Sequence, residues 1–260
     1  MSPWRCVLLL WGISAGAMAA GWVWQYRRRN SGIVDVIWTA GIGAGAVLYA
    51  ATLSGGAAPR ALLGLLAGVW SARLALHLAH RVLHEPEDGR YRQLRERWKG
   101  HQVKLFLMFQ FQALLVVLFS LSFLAPARNP ADAFTVWSML AILIWAASVA
   151  GESVADRQLA RFRADPANRG RTCRHGLWRY SRHPNYFFEW LHWFTYVALA
   201  VGSRIAWLSV SGPVLMYLFL RWVSGIPFTE AQALRTRGED YRRYQESTPM
   251  LFPWFPREHS

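Results

Sequence analysis

The chain is 260 residues long, 53% apolar and only 17% charged, with a formal net charge of +14. So much apolar sequence excludes an ordinary soluble domain of this size and reads as an integral membrane protein. The basic residues lie between apolar spans rather than on one surface, which argues against nucleic acid as a partner. Cys6 and Cys173 fall on opposite membrane faces in the topology below and give no disulfide, and no CxxC or HExxH pattern offers a metal site.

The first apolar span runs from about Cys6 to Trp24 and is closed by Arg27, Arg28 and Arg29. Ala17-Met18-Ala19 imitates a signal-peptidase site, but one arginine ahead of the run and three behind it point to a retained anchor with its N-terminus outside. The second span, about Ile33 to Leu53, contains Gly41, Gly43, Gly45 and Ala46 in a pattern that imitates a dinucleotide-binding GxGxxA. No strand can precede it inside a membrane, so close helix packing through Gly41 and Gly45 is expected instead.

The third span, about Ala61 to Ala79, carries Arg73, His77 and His80 at i, i+4 and i+7, one helix face. A charged connection at 81–104 leads to a fourth span, Leu105 to Ala125, and a short loop with Pro126 and Pro130 leads to a fifth, about Phe134 to Gly151. The fifth continues as a polar helix through Glu152, Asp156 and Gln158 into an arginine-rich connection at 155–182. A sixth span begins at Pro184, a residue suited to the first helical turn, and ends near Val201; the seventh runs from Ile205 to about Val223, with a charged tail after it.

Lysine and arginine counts follow this map. The connections after spans one, three, five and seven hold three, seven, eight and six of the 29, whereas the N-terminus and the other connections hold one each. The positive-inside rule then gives an all-α bundle of seven transmembrane helices, N-terminus outside and C-terminus cytoplasmic. No internal repeat or linker interrupts it, so residues 1–260 are read as a single domain.

Ionisable groups inside a membrane are costly and commonly mark function. Asp35, His77, His80, Arg81, Glu152, Asp156, Asn185, Glu189 and Arg221 all map to the cytoplasmic half of their spans, which predicts a polar cavity open to the cytoplasm. Asn185, Glu189 and His192 share a face of the sixth helix, and the Arg and His residues before Pro184 lead into its N-terminus, an anion-attracting position. The arginines of 155–182 suit phosphate, and Trp178, Tyr180 and Tyr186 suit a flat ring, so a phosphate-bearing nucleotide is expected, with headgroup binding as the other use of the same arginines.

At these residues the sequence resembles the steroid 5α-reductase family, especially its bacterial branch. The resemblance is carried by Glu152-x3-Asp156-x-Gln158-Leu159-x2-Phe162, by Gly176-Leu177-Trp178-x-Tyr180-Ser181-Arg182-His183-Pro184-Asn185-Tyr186 with Glu189 and Trp193, and by Glu85-Pro86-Glu87-Asp88-x-Arg90-Tyr91. It extends from about Asp35 to the end. The Δ14 and Δ7 sterol reductases are similar around RHPNY and around Gly238-Glu239-Asp240-Tyr241-x2-Tyr244. The resemblance implies a membrane reductase that uses NADPH to reduce a carbon–carbon double bond conjugated to a carbonyl, in a lipid-soluble substrate entering from the bilayer. It further implies cofactor contacts at Asp156, Arg163, Arg171, Asn185, Glu189 and Arg81. With Tyr180, Arg182, His183, Tyr186 and Tyr241 from the matching motifs, these form the expected cofactor set, most of it within about 150–260, facing the cytoplasm of a bacterial inner membrane.

The family's catalytic positions match less well. Its Tyr falls on Leu78 and its Gln-Glu pair has no counterpart in span two, where Asp35 is the only acid. The expected donors to the carbonyl are therefore Asp35, as an acid kept neutral by burial, and His77, whose ordinary pKa is near neutrality. A competing resemblance is to S-adenosylmethionine-dependent isoprenylcysteine and phospholipid methyltransferases, which share an RHPxY and a Glu near Tyr-x2-Tyr, here Arg182 to Tyr186, Glu230, Tyr241 and Tyr244. That cofactor has no phosphate and would leave the arginines of 155–182 without a purpose.

Overall fold

The computed structural model describes residues 1–257, and among them every regular element is helical. In chain order the α-helices are α1 (Pro3–Arg28), α2 (Ile33–Thr52), α3 (Ala57–His84), α4 (Gly89–Arg97), α5 (Gln102–Ser120), α6 (Leu124–Ala127), α7 (Val136–Ala164), α8 (Pro184–His192), α9 (Phe194–Ala200), α10 (Ser211–Leu218), α11 (Ile226–Arg237) and α12 (Glu239–Ser247). Among the described residues six stretches are long and apolar enough to cross a membrane: Pro3–Arg28, Ile33–Thr52, Ala57–His84, Gln102–Ala127, Val136–Ala164 and Ala206–Arg237.

Two compact units result, one of residues 1–141 with 196–212, the other of 142–195 with 213 onward. In the first, α2 packs against α1, α3 and α5, and small residues allow the approach. A Cβ on Gly43 would sit 2.2 Å from Ser71 Oγ, and one on Gly45 would sit 2.7 Å from a Leu10 methyl. The glycine pattern of span two is thus a packing surface, as its sequence context requires. The loop between α1 and α2 is tied down by Asn30, whose Nδ2 donates to the Val82 carbonyl while its Oδ1 accepts from the Gly32 N–H. Asp88 caps α4 by accepting from the Arg90 N–H.

The apolar run that reads as one span from Pro184 to Val201 is two short helices, α8 and α9, of nine and seven residues. Trp193 donates back to the Trp190 carbonyl, a tightened final turn that closes α8. The last apolar stretch is also segmented. A 3-10 turn (Ala206–Val210) precedes α10, and a π-helical turn (Phe219–Val223) follows it before Gly225 and Pro227 start α11.

Candidate functional site

The RHPNY segment of the second unit is organised by one carboxylate. Arg182 Nε donates to Glu230 Oε1 at 2.7 Å, Gln245 Nε2 donates to Glu230 Oε2 at 2.8 Å, His183 Nε2 lies 3.2 Å from Oε1, and the Tyr241 hydroxyl reaches the same oxygen at 3.4 Å. Arg182 also uses Nη1 to hold the Gln245 and Thr248 carbonyls at the end of α12. The Tyr244 hydroxyl donates toward the Trp178 and Ser181 carbonyls, and Ser181 Oγ donates to the Leu251 carbonyl. Arg182, His183 and Tyr241, three members of the expected cofactor set, are thereby committed to fastening the loop to the tail.

The environment fits that structural duty. His183 is buried, and desolvation lowers its pKa despite the pull of Glu230. Burial, reinforced by Glu230, raises the Tyr241 hydroxyl, and burial does the same for Tyr244, so both stay protonated as donors. Tyr186 stacks on the His183 ring with centroids 5.4 Å apart and pairs its hydroxyl with Thr229 Oγ1 at 3.2 Å. Trp178 is buried and donates to the Ala155 carbonyl, while Gln158 accepts from the Leu177 N–H. These bonds fix the 176–183 loop to α7.

The remaining members are differently placed. Asn185 Nδ2 donates to Asp156 Oδ1 at 3.2 Å, joining α8 to α7. Glu152 lies one turn before Asp156 and Glu189 one turn after Asn185, so two polar i, i+4 pairs are carried on helices that this contact brings side by side. Beyond them Arg163 and Arg171 are exposed, as is Tyr180, whose ring meets Phe255 edge-on. Arg157, Arg161, Arg169, Arg171 and Arg179 are exposed and form no ion pair among the described residues; Arg174 is held by Asp240.

The first unit holds the catalytic candidates. Asp35 accepts from the Tyr91 hydroxyl at 2.6 Å and from Arg90 Nη2 at 3.0 Å, with Asp88 bonded to the other side of the same guanidinium at 3.1 Å. Burial opposes the charge on Arg90, but Asp35 and its neighbours outweigh it and raise the Arg90 pKa; Arg90 in turn holds Asp88 below the usual carboxylate range against its own desolvation. Burial, with Asp35 beside it, lifts the Tyr91 hydroxyl well above its ordinary value. Both Asp35 oxygens therefore act as acceptors. His77 is exposed on α3, and Arg81, also exposed, is turned to Glu85 at 3.4 Å and Asp88 at 3.9 Å. Leu78, Asp35, Arg81 and Arg90 line a common pocket. Arg90 and Tyr91 were visible in sequence as part of a motif, yet nothing there tied them to Asp35, 55 and 56 residues away.

Residues 21–248 match the family described as a protein of unknown function, DUF1295, and the chain belongs to it; the family is steroid 5α-reductase-like in general terms. An uncharacterised protein of the fission yeast Schizosaccharomyces pombe is 26% identical over 225 residues, covering 76% of this chain and 64% of its own. The chain thus spans less than two thirds of that relative's length. No solved structure matches.

Proposed function

We propose that this protein is a multi-pass membrane reductase that uses NADPH to reduce a carbon–carbon double bond conjugated to a carbonyl in a lipid-soluble substrate. The observation that carries the reading is that Arg157, Arg161, Arg169, Arg171 and Arg179 are exposed and form no ion pair among the described residues, in the segment that leads into the hydrogen-bonded RHPNY loop. Guanidinium forks are matched to phosphate oxygens, and a dinucleotide with a 2′-phosphate presents several of them. S-adenosylmethionine presents none. Asp156 and Glu189 offer acceptors for ribose or carboxamide donors, and Asn185 offers both kinds of group.

Bound NADPH would supply the hydride for the β-carbon. The chain must then orient the substrate and place a donor at the carbonyl oxygen, where negative charge grows. Asp35 is engaged twice as an acceptor, so we assign donation to His77 and a positioning duty to Asp35 through Arg90 and Tyr91. The substrate class, an enone carried on an apolar body, follows from the family resemblance and from the membrane setting.

We further propose seven crossings, with the N-terminus outside and the cofactor segment on the cytoplasmic face of a bacterial inner membrane. What supports the seventh is that residues 172–182 are hydrogen-bonded to Asp240, Gln245, Thr248 and Pro249 and so lie on the same membrane face as the tail. The stretch Ala206–Arg237 lies between them, and a second crossing by α8 and α9 restores the parity.

Titration of purified protein with NADPH, followed by tryptophan quenching, tests the reading. Saturable binding is expected, weakened about tenfold in Arg171→Ala, with no competition from S-adenosylmethionine. Tight S-adenosylmethionine binding without NADPH binding overturns it. Under turnover with an enone panel, His77→Ala is expected to lose most activity and Asp35→Asn to retain part; two variants at wild-type rate discard the donor assignment.

A further inference from the structure

A second charged pocket, in the first unit, shares no residue with the arginine-rich loop. It has a volume of about 340 Å³, within the range of small-ligand sites, and is lined by Trp24, Arg28 and Arg29 on one side and Val82, Leu83 and Glu85 on the other. Arg28 and Arg29 close α1 and are exposed, and neither forms an ion pair among the described residues. Arg29 takes the left-handed conformation, φ 54°, at the helix C-cap, and the next residue, the buried Asn30, anchors the turn by donating from Nδ2 to the Val82 carbonyl. Two cations are thus presented on a fixed turn rather than on a loose tail.

The opposite wall is acidic. Glu87 is consumed by Arg95 at 2.8 Å and by the Ser31 N–H at 2.7 Å. Glu85, the C-cap of α3, is half-exposed and among the described residues is held only by Arg81 at 3.4 Å, one turn back, a contact weak enough to yield to a ligand. Above the pocket, Leu83 and Leu76, 66% and 72% exposed, stand two turns apart on one face of α3 and offer an apolar track along a membrane-crossing helix.

We infer that this pocket binds the headgroup of an aminophospholipid, with the phosphate on Arg28 and Arg29, the primary ammonium on Glu85, and an acyl chain along Leu83 and Leu76. Cation and carboxylate on facing walls match a zwitterion whose nitrogen carries N–H donors. An anionic glycerol headgroup leaves Glu85 opposed by negative charge, and a quaternary choline cannot donate to it. The inference does not rest on the reductase reading: none of the three headgroup ligands, Arg28, Arg29 and Glu85, belongs to the cofactor set, and Arg81 enters only as the partner that Glu85 gives up.

Native mass spectrometry of the purified full chain, released from detergent with equimolar phosphatidylethanolamine, phosphatidylglycerol and phosphatidylcholine, tests it. Wild type is expected to retain phosphatidylethanolamine over each of the others by about threefold, the size of one partly exposed charge pair. Glu85→Gln is expected to erase that preference while still retaining lipid. Arg28→Gln with Arg29→Gln is expected to lose the bound lipid, and Arg28→Lys with Arg29→Lys to keep it, which separates charge from folding. Equal retention of the three lipids by wild type, an undiminished preference in Glu85→Gln, or wild-type retention in the double glutamine variant overturns the assignment.

Discussion

At the scale of single residues, the same chemistry that suits a phosphate suits a carboxylate or a row of helix carbonyls, and sequence alone does not separate the two. Arg182 illustrates this. Its position in RHPNY suggests a cofactor contact, yet its donors go to Glu230, Gln245 and Thr248, up to 66 residues away. Removing one partner of such a largely buried pair strands the other, at a cost that approaches the roughly 3–5 kcal/mol of a fully buried one. Glu230→Gln is therefore expected to lower the thermal midpoint in detergent markedly. Arg182→Lys should do nearly as much, because one ammonium cannot serve Glu230 and both carbonyls; a midpoint within a degree of wild type for either variant contradicts the clamp. His183 adds a pH dependence. Its folded pKa lies below the ordinary value of about 6.5, so below that value the unfolded chain takes a proton that the folded chain refuses. Stability is complete above pH ~6.5 and falls as pH drops toward the lowered folded pKa. In His183→Gln the slope of the thermal midpoint over this window should flatten.

At the scale of elements, packing glycines and apolar spans were legible because their physical causes are local. A glycine row within a membrane helix has little use other than close approach, and Gly43 and Gly45 lie against Ser71, Leu10 and Ser120. The expected cost is graded by distance. A Cβ on Gly43 meets Ser71 Oγ at 2.2 Å and Ser71 Cβ at 2.4 Å, whereas one on Gly41 meets Val116 methyls at 3.1 Å. Gly43→Ala should destabilise by about 1–3 kcal/mol and Gly41→Ala by clearly less. Adding Ser71→Gly to Gly43→Ala should recover most of the loss in the same thermal unfolding measurement. The breaks were not legible. No proline or glycine marks the end of α8, and its termination at Trp193 sits in a crowd of rings, Trp190 against Phe194 and Phe252 at 4.8 and 5.3 Å, that sequence spacing does not disclose. Likewise the pairing of Asp35 with Arg90 and Tyr91 depends on how α4 returns to α2, a tertiary fact without a local signature.

At the scale of the whole molecule, charge asymmetry and hydrogen bonding bear on the same question by separate routes. The lysines and arginines alternate between rich and poor connections in a way that places 155–182 and the C-terminal tail on one face. Arg182, Thr172 and Arg174 bind the tail directly, which demands the same. Six crossings would separate these two segments, because only Ala206–Arg237 would lie between them; seven, counting α8 and α9 as one crossing in two pieces, keep them together. A π-turn and a helix break in adjacent spans then have a common rationale, since irregular backbone at membrane depth is tolerated where protein or a polar cavity surrounds it. Single cysteines at Ala167, Arg243 and Ser54, in a background with Cys6→Ser and Cys173→Ser, allow the topology to be read with a membrane-impermeant thiol reagent. Labels at 167 and 243 are expected only in inside-out vesicles and the label at 54 only in right-side-out vesicles. Labelling of 167 and 243 from opposite sides would mean that α8 and α9 do not cross, and the clamp between Arg182 and the tail could not then exist in the membrane.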